Sequence, residues 1–224
     1  MAVGGGTARS RPGGLARRLS TADGSDLSGA GLSRQPPTVN RQPMTGLRIT
    51  AGTLRGRKIP VPAESVRPTS ERARQAFFNI LGARIHDARF LDLFAGSGIF
   101  SFEAVSRGAG RSVAVDQSPR QVAAIEKTAR LLEVPVRAIA ADALTGIKRL
   151  QSEVFDVIYA DPPYSYEHYD PLLLAIDSEL TLAPGALVAI EHRRNTNPLT
   201  VHPTHLRPHR RAEYGEVWIT FFIA

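Results

Sequence analysis

The sequence predicts an α/β fold: a doubly wound, mostly parallel sheet of seven strands, with a small N-terminal β-hairpin and helix attached. Three observations lead there. Between residues 89 and 192, five apolar runs alternate with four helical patterns. Those runs are near-continuous rather than alternating, which marks strands buried on both faces, as in a parallel sheet. The closing stretch "HRRAEYGEVWITFFIA" sets Gly215 between two β-prone pieces and predicts a final hairpin.

The elements follow in order. Residues 1–43 are rich in Gly, Ser, Arg and Pro without an apolar period, so a disordered basic tail is expected. In "LRITAGTLRGRKIPVP", β-prone pieces flank Gly52 and Gly56 and predict a hairpin over 47–61. In "RPTSERARQAFFNILGARI", Thr69 or Ser70 can cap a helix. Its apolar Ala73, Ala76, Phe77, Ile80 and Leu81 recur at helical spacing. The alternation then begins with a strand at 89–94, a helix from Gly98 to about 107, a strand at 112–116 and a helix at 118–132. It continues with a strand at 136–141, a helix at 143–151, a strand at 155–160, a helix at 167–180 and a strand at 186–192. Three segments are expected: the tail at 1–43, an RNA-binding hairpin and helix at 44–84, and the main domain at 85–224.

With 42% hydrophobic residues the chain can build a core, yet no run approaches the roughly 18 apolar residues of a membrane span. The start "MAVGGGTARSRPGG" lacks a signal-peptide core. There is no cysteine, hence no disulfide and no thiolate metal site, which is compatible with the cytoplasm. His202, His205 and His209 sit among prolines without a carboxylate or Cys partner, so no metal is expected. Net charge is uneven: +4 over 1–43, +5 over 44–76, −4 over 77–190 and +2 over 191–224. A polyanion held beside an acidic body fits this layout. Its candidate contacts are Arg48, Arg55, Arg57, Lys58, Arg67, Arg72 and Arg74. A solvated face is the alternative for some of these, and a structural role for Arg72 or Arg74.

Two sites stand out. The first strand ends "DLFAGSG": Asp92 in the strand, then Phe94, Ala95, Gly96, Ser97 and Gly98 leading into a helix. In a doubly wound sheet, ligands bind beyond the strands' carboxyl ends where the strand order reverses. Ser101 stands where a dinucleotide fingerprint needs its third glycine, and no Lys follows as in a P-loop. Asp116 closes the second strand twenty residues after Gly96, where an acid can accept ribose hydroxyls. Asp142, followed by Ala143, closes the third, within reach of an adenine amino group. Together these indicate an adenosine-bearing cofactor, with NAD and S-adenosylmethionine both compatible.

The fourth strand ends Asp161, Pro162, Pro163, Tyr164. An exocyclic amine of a base is a poor nucleophile because its lone pair is delocalised into the ring. Two acceptors at its N–H groups, the Asp161 carboxylate and the Pro162 carbonyl, would stabilise the charge that develops on methylation. The prolines fix φ and remove competing donors. Tyr164 offers a stacking face. Glu191 and His192 close the fifth strand as structural or substrate-lining groups.

"DLFAGSG", "DPPY" and "RPTSERARQAFFNIL" together resemble the RsmD family, bacterial methyltransferases of a guanine N2 in 16S ribosomal RNA. Residues 48–62 match its opening pattern, Arg211 to Gly215 its ending, and the resemblance spans about 47–223. It implies a class I methyltransferase fold, Rossmann-like, with S-adenosylmethionine as donor. The implied acceptor is 16S rRNA in an assembled or assembling small ribosomal subunit. By the same resemblance Asp92 to Gly98, Asp116 and Asp142 would hold the cofactor, and Asp161 to Tyr164 the guanine. A monomer is expected. The alternative reading is an amino-methyltransferase acting on adenine N6 of DNA or RNA. Phe100 and Phe102 depart from the family pattern in a way that bears on packing. Residues 1–43 have no counterpart in it.

Overall fold

A computed structural model describes residues 44–62, 68–163, 165–194 and 200–224. The expected tail, Arg67 and Tyr164 lie outside the described residues. Arg41–Ala224 is one compact unit.

The chain opens with the expected hairpin, Met44–Arg48 (β1) antiparallel to Lys58–Pro62 (β2). Between them a tight loop carries Gly52 at φ +81°. A Cβ there would fall 1.7 Å from the Ser106 carbonyl oxygen, so only glycine lets the loop lie this close. Pro68–Leu81 (α1) and a 3-10 turn at Gly82–Ile85 follow. Phe77, Phe78 and Leu81 recur every three to four residues and are buried, which is why this stripe faces inward.

The body runs Arg89–Asp92 (β3), Ile99–Ser106 (α2), Arg111–Asp116 (β4), Pro119–Leu132 (α3), Val136–Ala140 (β5) and Ala143–Arg149 (α4). It continues Val154–Ala160 (β6), Tyr169–Glu179 (α5), Thr181–Arg193 (β7), Arg207–Tyr214 (β8) and Val217–Ile223 (β9). The sheet order is β5-β4-β3-β6-β7-β9-β8. The neighbours from β5 to β7 pair in parallel, and β9 is antiparallel to both β7 and β8. The seven-stranded, mostly parallel sheet is therefore the predicted one. β7 begins five residues before the predicted strand, because Thr181 and Leu182 already pair with Val154 and Phe155 ahead of a bulge.

Each strand feeds two cores, as a two-sided sheet requires. Phe90, Ala114, Val157, Tyr159 and Ala189 pack with α1, α2 and α3. Their neighbours Leu91, Val113, Ile158, Ala160 and Val188 pack with α4 and α5. The chain winds outward from β3 through β5, then crosses back to β6 on the other side of β3. That reversal opens a crevice beyond the carboxyl ends of β3 and β6.

Candidate active site

The turn after β3 is tied to both neighbouring strands. Leu93 N–H donates to the Tyr159 carbonyl at 2.9 Å and Ala95 N–H to the Val115 carbonyl at 3.0 Å. Gly96 N–H donates to Asp116 Oδ2 at 2.7 Å, and Ser118 N–H to Asp116 Oδ1 at 2.8 Å. The two glycines serve different ends. A Cβ on Gly96, at φ +51°, would meet nothing within 4 Å, so its side is open to a ligand. A Cβ on Gly98, at φ +75°, would fall 2.9 Å from Ile125, so this glycine lets α2 approach α3.

A cavity of about 420 Å³ lies at this edge, and Phe94, Asp116, Asp142, Ala143, Asp161 and Pro163 line it. These sequence-predicted residues from four strand ends do converge. Asp142 caps α4 by accepting Thr145 N–H at 3.0 Å, and that bond holds its carboxyl below the usual range. Gln117, Leu144, Tyr166 and His168 also line the cavity and were not singled out from the sequence. The Tyr166 ring meets Phe94 edge-on at 5.3 Å. Burial pushes the Tyr166 hydroxyl up to about 12, so it is neutral.

The residues fit S-adenosylmethionine better than a dinucleotide. Among the described residues, three carboxylates and no Lys or Arg line the cavity. That suits hydroxyl and amino donors and a sulfonium cation, whereas the carboxylates would repel a pyrophosphate.

Asp161 follows Ala160, which pairs with Ile190, so Asp161, just past β6, comes next to Glu191 of β7. Pro162 is buried, and the Pro163 carbonyl accepts Tyr166 N–H at 2.8 Å, closing a turn. Beneath lies an acidic cluster that the sequence reading did not foresee. Tyr159 donates its hydroxyl to Glu191 Oε2 at 2.6 Å. Burial, then the charge of Asp161, pushes Glu191 up to about 8 despite that bond.

Two expectations are corrected. Asp92, expected to touch the cofactor, is 1% exposed, does not line the cavity and accepts the Ser101 hydroxyl at 3.1 Å. Burial pushes it up to about 7 against that bond, with Asp161 and Asp116 adding to the rise. Arg74, expected among the RNA contacts, is 0% exposed. It pairs with buried Glu103 at 3.4 Å and donates to the Arg48 carbonyl at 2.9 Å. Its spacing from Phe77, Phe78 and Leu81 places it on the inward stripe, a signal the sequence did carry. Arg48, Arg55, Arg57, Lys58 and Arg72 are exposed, and Arg48 also donates to the Gly56 carbonyl at 3.0 Å.

The family model "Conserved hypothetical protein 95" matches residues 47–223. The chain belongs to this family. It is 32% identical over 174 residues to the Escherichia coli protein named ribosomal RNA small subunit methyltransferase D, covering 76% of this chain and 86% of that one. The solved structure of the Escherichia coli methyltransferase yhhF superposes with a TM-score of 0.72 at 29% identity, over 80% of this chain and 98% of that one. A Thermus thermophilus 16S rRNA N2 G1207 methyltransferase, solved with AdoMet and guanosine, shares the fold with a TM-score of 0.63 at 20% identity, over 81% of this chain and 50% of that one. The sheet described above is the class I methyltransferase fold of this family.

Proposed function

We propose that the chain transfers a methyl group from S-adenosylmethionine to the exocyclic N2 of a guanine in 16S rRNA of the small ribosomal subunit. The observation that carries this reading is that Asp161 and Pro163 of the Asp161-Pro162-Pro163 turn line the acidic cavity, in a chain whose curated relatives include proteins named ribosomal RNA small subunit methyltransferase D. Those names do not favour adenine N6.

When bound, S-adenosylmethionine supplies an electrophilic methyl group on a sulfonium. The chain's own residues do the rest. Asp116 and Asp142 hold hydroxyl and amino groups of the donor, and Phe94 and Leu144 its apolar surface. Asp161 accepts an N–H of the target amine, which frees the nitrogen lone pair and stabilises positive charge as it develops. The Pro162 carbonyl is the second acceptor, since the Pro163 carbonyl is committed to Tyr166. Tyr164 is the stacking face for the base. The 44–84 block contacts RNA phosphates through Arg48, Arg55, Arg57, Lys58, Arg67 and Arg72. The site of action is the cytoplasm, where small subunits assemble.

The test is methyl transfer from labelled S-adenosylmethionine to small-subunit particles purified from a strain lacking the enzyme. The product nucleoside is then identified by mass spectrometry and mapped by primer extension. N2-methylguanine at one position is expected. Label in adenine, or none, would sink the reading.

A further inference from the structure

We propose that Glu191 reads the target guanine beside Asp161, its carboxyl group spanning N1–H and O6 while Asp161 takes N2–H. This rests on the function proposed above and adds a specificity-determining residue to it.

The placement comes from strand register. Ala160 is opposite Ile190 across β6 and β7, parallel strands about 5 Å apart, so Asp161, the first residue past β6, starts next to Glu191 of β7. Ala160 and Ile190 face the α4–α5 side, whereas Tyr159 and Ala189 face the other. By alternation the Glu191 side chain emerges on the Tyr159 side, and Asp161 lies close enough for its charge to act on the Glu191 carboxyl. Glu191 is also held on a rigid support. Its Oε2 accepts the Tyr159 hydroxyl at 2.6 Å. The Tyr159 ring is stacked on Phe100 at 3.9 Å and packed on Phe77 at 4.8 Å. Among the described residues Oε1 takes no hydrogen bond, and Glu191 is only partly buried.

The chemistry matches guanine. Next to its target amine guanine presents N1–H, a donor, and then O6, an acceptor. Adenine presents an acceptor at N1 and a C–H beyond it. A neutral carboxyl offers one acceptor and one donor side by side, the complement of N1–H and O6. An extruded base is read along this edge.

The surroundings keep Glu191 neutral at pH 7. Asp161, just past β6, opposes its ionisation and Tyr159 of β6 favours it, while burial, the largest influence, holds it near 8. Asp92 on β3, itself held up to about 7, faces Tyr159, and Tyr169 on α5 faces Glu191 and Asp161. Arg74 on α1 and Arg193 on β7 are the nearby cations, facing Tyr159 and Tyr169 respectively. Above pH 8 an ionised Glu191 loses the donor for O6 and sets a second negative charge beside Asp161.

Glu191→Gln keeps the donor–acceptor pair and cannot ionise, whereas Glu191→Ala removes it. The experiment measures kcat/KM on small-subunit particles from pH 7 to 9 for the wild type and both variants. Calorimetry with S-adenosylhomocysteine confirms each variant's fold and cofactor site. The wild type is expected to fall as pH rises through about 8. Glu191→Gln should retain far more activity than Glu191→Ala at pH 7 and lack that fall. Glu191→Ala should lose about 10–100-fold, the size of one bidentate base contact. Because all three act on the same particles, the substrate's own titration cancels. Glu191→Ala at the wild-type rate, or Glu191→Gln losing as much as Glu191→Ala, overturns the inference while leaving guanine methylation intact. A wild-type chain that methylates no guanine overturns the proposed function itself.

Discussion

At the scale of single residues, the acids at the strand ends divide by burial. Asp116 is part-exposed, lines the cavity and holds the Gly96 turn. Replacing it with Ala should weaken S-adenosylmethionine binding by about 1–3 kcal/mol, read by calorimetry, since ribose hydroxyls lose a charged acceptor. Asp161 should behave oppositely. Asp161→Ala should cut turnover roughly a hundredfold while cofactor affinity barely moves, as for loss of one preorganised charge-stabilising group. A near-normal single-turnover rate would refute its role as acceptor. Asp92 is buried, and its effect is on stability. Its folded-state value, about 7, lies above the ordinary 3.8, so the folded chain keeps a proton that the unfolded chain releases. Stability from this group therefore falls as pH rises from about 4 to about 7. Asp92→Asn should remove that fall, by an amount on the order of a few kcal/mol between pH 5 and 8 in urea unfolding. An unchanged pH dependence would show that Asp92 is not held protonated. The sequence made the three acids legible as strand-end acids, because strand and turn patterns place them. It could not separate Asp92 from Asp116, because burial depends on α2 packing over β3 through Ser101.

At the scale of elements, a buried carboxylate ties both the hairpin and α1 to the body. Glu103 on α2 is 0% exposed and pairs with Arg74 of α1 and Arg107 of its own helix. It also accepts Thr50 N–H, beyond β1, at 2.9 Å, and the Thr50 hydroxyl. Removing one partner of a buried pair strands a charge. Glu103→Ala should cost about 3–5 kcal/mol in denaturant unfolding, whereas a joint Arg74→Met, Glu103→Leu change should recover much of it. Equal losses in the two variants would mean that packing, not charge, governs the junction. Helix and strand positions were legible within a few residues because period and turn chemistry are local. This junction was not, because Thr50, Arg74 and Glu103 are far apart in sequence and nothing in their own segments pairs them. Phe100 was noted for its size alone. Its partner Tyr159 lies on β6, so their stacking emerges only from the sheet order.

At the scale of the whole molecule, charge layout and shape bear on how the proposed RNA would be held. The 77–190 body is net −4 and would repel RNA, while the 44–76 block is net +5. The hairpin loop rests on the C-terminal end of α2, where Thr53 N–H donates to the Ser106 carbonyl at 2.8 Å. The glycine turn lies at the other end of that helix, about 12 Å away for eight residues of helix. Arg55, Arg57 and Lys58 are exposed there and are suited to gripping phosphates. Such contacts release counterions, so they appear in the salt dependence of binding. Replacing all three should weaken binding to small-subunit particles and flatten its log–log salt slope by roughly 0.7–0.9 per lost phosphate contact. The 1–43 segment carries net +4, and its Arg residues are scattered among Gly, Ser and Pro rather than clustered as in the 44–76 block. Deleting it should leave particle methylation largely intact. Particle binding across a salt series separates the two sources of charge. Binding that is abolished by the deletion and untouched by the triple replacement would move the RNA grip from the hairpin to the tail.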